Sequence, residues 1–393
     1  MISREHYLQQ IRPFYESNLV KIVTGIRRCG KSVIMDQIET ELRQSGKKTL
    51  MLNFEDRSVS ALITTVDELI DYISQYLGKE KLYVFLDEVQ MIEQWNVACR
   101  TLRLKNVSLF ITGSNSKLLS KEFTKELSGR YVAFRVRPFV FLEIQEYVKE
   151  LQHDYSISDY LVFGGFPQAI EFPTKQARLR YLNDLDDTIV INDILNRYKI
   201  RKDNLFRRLV NYIMISNARI FSANSVQKFL KGQGFECSLN TILKYLSYLE
   251  EAYVISPIRQ YSTKVKRELK YYQKLYVEDV SFNSIRQTDG HWDITHNLEN
   301  IVYNELLYRG FNLFVFREGS QGVDFLAEKN NRQYLIQVAY SIAEESTYRR
   351  EFTLFNKLDQ TREKIIITND DFDFSTSTVR HINLKEFLIN ESF

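Results

Sequence analysis

Gly25-Ile26-Arg27-Arg28-Cys29-Gly30-Lys31-Ser32 decides how the rest of the chain is read. Its spacing fits G-x-x-x-x-G-K-[ST], a loop whose backbone cradles phosphate groups. The two glycines permit turns that aim successive N–H groups at phosphate oxygens. Lys31 supplies a point charge for the outer phosphates, and the Ser32 hydroxyl is a ligand for the accompanying Mg²⁺. A helix opening at Lys31-Ser32-Val33 turns its positive end toward the same anion. Every residue from Gly25 to Val33 is therefore a candidate nucleotide contact. The bland reading, a surface turn with an accidental lysine, is opposed by context: an apolar run precedes the loop and an amphipathic stretch follows it.

Outward from the loop, apolar runs at 19–23, 50–54, 83–86, 107–112 and 131–136 alternate with amphipathic stretches that suit crossover helices. This rhythm predicts an α/β domain with a parallel sheet covered on both faces. The third run ends in Asp87-Glu88. Asp87 is placed to hold Mg²⁺ through its water shell, and Glu88 to orient and deprotonate an attacking water. Alone, such a pair marks only the polar rim of a sheet; beside the glycine loop it reads as catalytic. After the fourth run, Ser114 or Asn115 either meets the γ-phosphate or the lytic water, or caps a helix. Arg130 precedes the fifth run and so belongs on the opposite rim from its own nucleotide. There it can serve a neighbouring subunit as an arginine finger in trans, or make a structural salt bridge. The expected catalytic set is Lys31, Glu88, Ser114, Asn115 and Arg130. Ser32 and Asp87 are the metal ligands, with ATP and Mg²⁺ as cofactors.

The motifs Gly25-Ser32, Leu86-Asp87-Glu88, Thr112-Gly113-Ser114 and Gly129-Arg130 resemble those of AAA-type P-loop ATPases. The resemblance extends to a prokaryotic subgroup with a C-terminal domain of undefined function, through Trp95, Arg137-Pro138-Phe139, 163–167 (Phe-Gly-Gly-Phe-Pro) and 322–325 (Gly-Val-Asp-Phe). It implies ATP hydrolysis, self-association and a helical lid, for which Arg178 and Arg180 are the weak candidates for a nucleotide-sensing arginine.

Composition sets bounds on all of this. At 393 residues, 44% hydrophobic and 26% charged, the chain needs more than one core and is neither disordered nor fibrous. No apolar run approaches the roughly 18 residues of a membrane span, and the first residues lack the apolar core of a secretory signal. Three cysteines without a CxxC exclude a disulfide framework or a cysteine-rich zinc site. A cytoplasmic, multidomain protein is expected. The net charge of +3 hides an asymmetry, because residues 196–270 hold 15 Lys or Arg against 5 Asp or Glu. Such a basic module is the footprint of nucleic-acid contact, or a face that meets an acidic neighbour domain.

The expected domains are 1–138 (ATPase), 139–195 (helical lid), 196–270 (basic winged helix) and 271–393 (restriction-endonuclease-like α/β). In the third, Ser222 and Ser238 cap two helices on either side of a glycine turn, and a strand follows. Leu239, Ile242, Leu243, Leu246 and Leu249 are assigned to the buried face of the second helix. Asn240, Thr241, Lys244, Tyr245 and Tyr248 are assigned to its exposed face, and Lys228, Lys231, Lys264, Lys266 and Arg267 to phosphates. In the fourth, helix, three strands, helix, strand is the order of nuclease cores that use acids on the first helix and second strand and a Glu/Gln-x-Lys on the third. Here these are Glu299, Asp324 and Gln337, but position 339 is Ala, with Lys329 and Lys364 as substitutes. The site is expected to be degenerate. The leading functional expectation is an oligomeric ATPase driving engagement of nucleic acid or protein; an ATP-regulated nuclease and a nucleotide-switched interaction module are the alternatives.

Overall fold

The apolar runs of the first part form strands because both faces of each are covered. The computed structural model describes residues 2–114, 127, 129–261, 273–287, 290–318, 321–356, 358 and 361–390. The chain divides into two compact units, Met1–Pro138 with Glu251–Tyr253, and Phe139–Glu250 with Val254–Phe393.

In the first unit, β1 (Val20–Thr24), β2 (Lys48–Asn53), β3 (Leu82–Asp87), β4 (Val107–Gly113) and β5 (Tyr131–Arg135) form a parallel sheet of order β2-β3-β4-β1-β5. Helices α1 (Glu5–Ile11), α2 (Lys31–Gln44), α3 (Arg57–Leu62), α4 (Val66–Ser74) and α5 (Trp95–Leu102) flank it. Alternate strand residues Val20, Ile22, Val84, Leu86, Leu109 and Ile111 pack with Leu69 and Ile73 of α4 and Ala98 and Leu102 of α5. Thr65 and Glu68 start α4 as a reciprocal capping box. This is the expected parallel α/β sheet, and its parallel register brings the carboxyl ends of β1, β3 and β4 to one edge.

In the second unit, α6 (Phe141–Tyr147), α7 (Ile157–Phe163), α8 (Pro167–Ile170) and α9 (Lys175–Asp186) lead through a π-helical stretch, Asp187–Asn192, into α10 (Asp193–Arg197). The turn at 163–167 has a specific cause. A Cβ on Gly164 would lie 1.7 Å from the Asp279 carboxylate, and one on Gly165 would lie 2.0 Å from the Phe139 carbonyl oxygen. The Gly165 N–H donates to Asp279 at 2.7 Å. Then come α11 (Asp203–Ile215), β6 (Ile220–Phe221), α12 (Ala223–Gly232), α13 (Leu239–Glu251), β7 (Ile255–Arg259) and β8 (Gln273–Val277), the strands forming an antiparallel sheet of order β6-β8-β7. That sheet runs past residue 270, where a domain boundary was expected. The Ser222 and Ser238 caps form. The phase of α13 differs from expectation: Ile242, Tyr245, Leu246 and Leu249 are buried, while Leu239 and Leu243 are exposed. Tyr245 turns inward because Phe206 of α11 receives its ring edge-on at 5.3 Å, and Tyr248 stacks on Tyr198 at 3.6 Å. The unit ends with α14 (Ser281–Ser284), α15 (Ile294–Tyr308), β9 (Asn312–Glu318), β10 (Gln321–Lys329), β11 (Arg332–Val338), α16 (Glu345–Asn356), β12 (Glu363–Thr368), β13 (Arg380–Asn383) and α17 (Leu384–Ile389). Its mixed sheet is antiparallel across β9-β10-β11 and parallel across β11-β12-β13.

Lys21 breaks the apolar rule on β1. Its side chain is wholly buried, the ammonium donating to Ser108 Oγ at 2.6 Å and to the Ser17 carbonyl at 3.3 Å, over the Phe110 ring. Burial, with a smaller push from Lys81 and against Glu16, brings its pKa down to about 7. An unfolded chain keeps this proton to about pH 10.4, so folding is disfavoured below about 7 and stability from this group rises with pH between the two values. Lys21→Met is therefore expected to be more stable than wild type at neutral pH by about 1–4 kcal/mol. The gap should narrow toward about pH 10. Paired urea unfolding curves across that range check both the sign and the slope.

Candidate active site

The loop after β1 has its conformation forced on it. Gly25 has φ +144° and Gly30 φ +98°. A Cβ on Gly25 would lie 2.1 Å from the Val136 carbonyl oxygen, so only glycine fits there. Ile26 and Cys29 are buried beneath the loop, Arg27 pairs with Glu55 at 2.8 Å, and Arg28 is exposed with φ +67°. In the first turn of α2, Val33 is half-buried and Ser32 exposed. Lys31 is buried, donating to the Ile26 carbonyl at 3.2 Å with its amine 3.8 Å from Glu88 Oε1.

The acids arrive on β3. Thr112 of β4 fixes both: its hydroxyl donates to Asp87 Oδ1 and accepts the Glu88 N–H at 2.9 Å. Glu88 has left-handed backbone, φ +53°, and its carboxylate accepts bonds from Ser114 Oγ at 3.4 Å and from Gln90. Burial, and then the charge of Asp87, raises the carboxyl of Asp36 on α2. Asp36 is one turn along α2 from Ser32. The donor set at this edge fits a magnesium nucleotide, with backbone turns, a buried amine, an exposed hydroxyl and two acids. Lys31, Asp87, Glu88 and Ser114 are brought together. Arg130 is not: its carbonyl accepts the Val20 N–H at 3.0 Å, which puts it at the amino ends of β1 and β5. Asn115 lies outside the described residues.

Sequence reasoning passed over two contributors. Thr112 enters the sequence reading only as part of the Thr112-Gly113-Ser114 motif, although a hydroxyl one strand from an acidic pair is a visible signal. Arg4 gave none. Its guanidinium is buried beneath the loop, donating to the Cys29 carbonyl at 2.9 Å and twice to the Arg137 carbonyl at 3.1 Å. The Tyr7 hydroxyl accepts the Arg137 N–H at 3.1 Å, and the Arg4 N–H donates to Gln37 of α2. The segment around α1 thus braces the underside of the loop.

In the second unit Glu299, Asp324 and Gln337 also come together, with a fourth member the sequence reading did not name. Lys274 of β8 donates to Glu299 at 2.8 Å and to Asp324 at 2.7 Å. Burial opposes that ammonium, but the charges of Asp324 and Glu299 raise its pKa above the ordinary lysine value. Burial, then the Asp324 charge, lifts the Glu299 carboxyl to about 7. The two lysines proposed as substitutes are elsewhere, with Lys329 on the Arg309 carbonyl and Lys364 on the Phe355 carbonyl. Arg178, a weak candidate for sensing nucleotide, is buried on Asp159 and the Phe172 carbonyl; Arg180 is exposed.

The Thr112 bridge yields a direct test. Thr112→Val removes a donor to Asp87 and an acceptor for the Glu88 N–H, a loss of about 1–3 kcal/mol where it bears on the transition state. Nucleotide turnover is expected to fall about ten-fold or more, with nucleotide affinity nearly unchanged. Single-turnover hydrolysis beside equilibrium binding of a fluorescent ATP analogue separates the two.

Comparison with known proteins accords with this geometry. An AAA domain model matches residues 17–145, and models of two domains of unknown function match 154–286 and 295–387. An uncharacterized protein of Haemophilus influenzae is 31% identical over 95% of this chain and 94% of its own length. One of Methanocaldococcus jannaschii is 30% identical over 90% of this chain and 83% of its own. A Walker-type ATPase of Pyrococcus abyssi superposes with a TM-score of 0.52 at 14% identity, covering 73% of this chain and 96% of that one, which shows a shared fold. The chain belongs to the family of the Haemophilus and Methanocaldococcus proteins, with an AAA-type P-loop ATPase domain followed by two domains of unknown function.

Proposed function

We propose that this chain binds magnesium ATP on residues 25–33, hydrolyses it, and converts nucleotide state into engagement of nucleic acid by its C-terminal half. The observation that carries the ATPase reading is the convergence of Lys31 and Glu88, 3.8 Å apart, with one Thr112 hydroxyl fixing Asp87 and Glu88 together. Loop amides and the Lys31 amine bind the outer phosphates. Ser32 and Asp87 hold the magnesium ion that enters with the nucleotide. Glu88 orients the attacking water and takes its proton, with Ser114 steadying the carboxylate. Arg130, exposed at the other end of the strands, serves the γ-phosphate of a neighbouring copy, so the working particle is an oligomer.

The run α11-β6-α12-α13-β7-β8, with its three-stranded antiparallel sheet, supports the winged-helix reading of the basic segment. Lys202, Lys228, Lys231, Glu236, Ser238 and Thr241 line an open groove of about 730 Å³ there, with lysines in excess. Asn240 and Lys244 face outward on α13; Lys264, Lys266 and Arg267 lie outside the described residues. The order α15-β9-β10-β11-α16-β12 supports a restriction-endonuclease-like core for the last domain. We place the domains at 1–138, 139–195, 196–277 and 278–393, the third boundary moved so that β8 stays with its sheet. No helix among the described residues is long and apolar enough to cross a membrane. Three free cysteines suit a reducing compartment such as the cytoplasm.

Phosphate release and particle mass, measured together with and without DNA, test this. Lys31→Ala should abolish turnover, and Glu88→Gln should keep nucleotide while hydrolysing it about a hundred-fold more slowly. Arg130→Ala should be inactive alone and regain activity when mixed with Lys31→Ala subunits. DNA should raise the wild-type rate, and Lys228→Glu with Lys231→Glu should lower the slope of log affinity against log salt by about two. A pure protein that neither binds nor hydrolyses magnesium ATP would overturn the proposal; tight binding without turnover would leave a nucleotide-switched module.

A further inference from the structure

The cluster around Glu299 rests on different residues from the nucleotide site and is independent of it. Three elements supply it. Glu299 stands on α15, Asp324 on β10, and Lys274 on β8, the strand that also completes the sheet of the basic segment. All three side chains are mostly buried, with 14% of Lys274, 11% of Glu299 and 13% of Asp324 exposed.

The bonds leave little for a metal ion. Glu299 Oε1 accepts the Lys274 ammonium at 2.8 Å and the Tyr276 hydroxyl at 2.5 Å. Asp324 Oδ1 accepts the same ammonium at 2.7 Å, and Asp324 Oδ2 accepts the Val338 N–H at 3.0 Å. The Gln337 side-chain Oε1, the third ligand atom that a metal would use, accepts the Asp324 N–H at 3.2 Å. A magnesium ion sits about 2.0–2.1 Å from each ligand oxygen. To bridge Glu299 Oε1 and Asp324 Oδ1 it must lie between them, in the space that the ammonium fills. Residue 339, just past the end of β11, is a buried alanine and brings no charge. The residues present therefore do not fit a divalent cation.

We propose that the Lys274 ammonium occupies the position from which a divalent cation would bridge Glu299 and Asp324, making a metal-independent ion triad that ties β8 to α15 and β10. The triad joins the two stretches matched as domains of unknown function, 154–286 and 295–387, through one buried cation. It holds them together and does no phosphodiester chemistry. Lysine suits this place better than a metal taken from solution, because its charge is delivered by folding and cannot be chelated away.

The test uses Mn²⁺ as the probe on nucleotide-free, full-length protein, followed by its paramagnetic resonance signal. Wild type and Asp324→Asn should bind the same amount of Mn²⁺. Lys274→Met should bind about one ion more per chain, and Lys274→Met with Asp324→Asn should lose that gain. Circular dichroism and thermal melts establish that each variant is folded. Should Lys274→Met fail to fold, Lys274→Ala takes its place, leaving no donor between the carboxylates, and the comparison of wild type with Asp324→Asn stands without either. Mn²⁺ bound by wild type and lost in Asp324→Asn would overturn the proposal, as would a folded lysine variant with no gained ion. A plasmid-nicking activity dependent on Mg²⁺ or Mn²⁺ and abolished by Asp324→Asn would overturn it too.

Discussion

A backbone carbonyl stands where the side chain of any residue but glycine at position 25 would be. The Val136 oxygen approaches to 2.1 Å of that Cβ position because the chain leaving β5 continues beside β1, the Val136 N–H bonding the Thr24 carbonyl at 2.7 Å. The loop must therefore leave the sheet with a backbone that only glycine adopts readily. Carbonyls beside the loop then need donors of their own. Arg4 meets that need for Cys29 and Arg137 at once. A buried guanidinium with several fixed donors suits this better than a lysine, because one rigid fork can serve carbonyls from separate segments.

A second constraint shapes the acids. Successive residues of a strand point to opposite faces, so a straight strand cannot aim Asp87 and Glu88 at the same substrate. The strand ends at Asp87, and Glu88 takes φ +53°, which swings its carboxylate back toward Lys31. That backbone is unfavourable for glutamate and persists only where its surroundings hold it. The Thr112 hydroxyl does so by accepting the Glu88 N–H while donating to Asp87. One side chain thus links the two acids.

The parts of this molecule legible in the sequence are those governed by local rules. The strands of the first sheet could be read because burial on two faces makes continuous apolar runs, and the loop because its glycines and lysine have fixed spacing. The capping serines of α12 and α13 were legible for the same reason. What escaped depends on partners distant in sequence. Tyr245 turns inward because Phe206, on another helix, offers it an edge, so a leucine count along α13 put the buried stripe too far round. Gly164 and Gly165 announced a turn but not the Asp279 carboxylate they make room for. The lysine of the acidic cluster was looked for at Lys329 or Lys364, and Lys274 fills that place from β8, a strand paired with β6 and β7.

Three buried lysines show how surroundings, more than residue type, assign a role. Lys21 has two neutral oxygens and an aromatic ring for company, so burial prevails and its pKa falls to about 7. Lys274 keeps 14% of its side chain exposed, and two carboxylates within 2.8 Å outweigh its burial and keep it charged. Lys31 is held by looser contacts. A carbonyl at 3.2 Å and one carboxylate at 3.8 Å hold it in place without spending its charge on a close ion pair. An anion of higher charge arriving at the loop competes for that amine on favourable terms, because Coulomb attraction grows with charge and with the loss of surrounding water. The same is not true of Lys274, whose charge is already committed at contact distance to two partners. Of the two candidate chemical centres, the amino-terminal one therefore keeps its cation available to a ligand, and the carboxyl-terminal one uses its cation to hold the fold together.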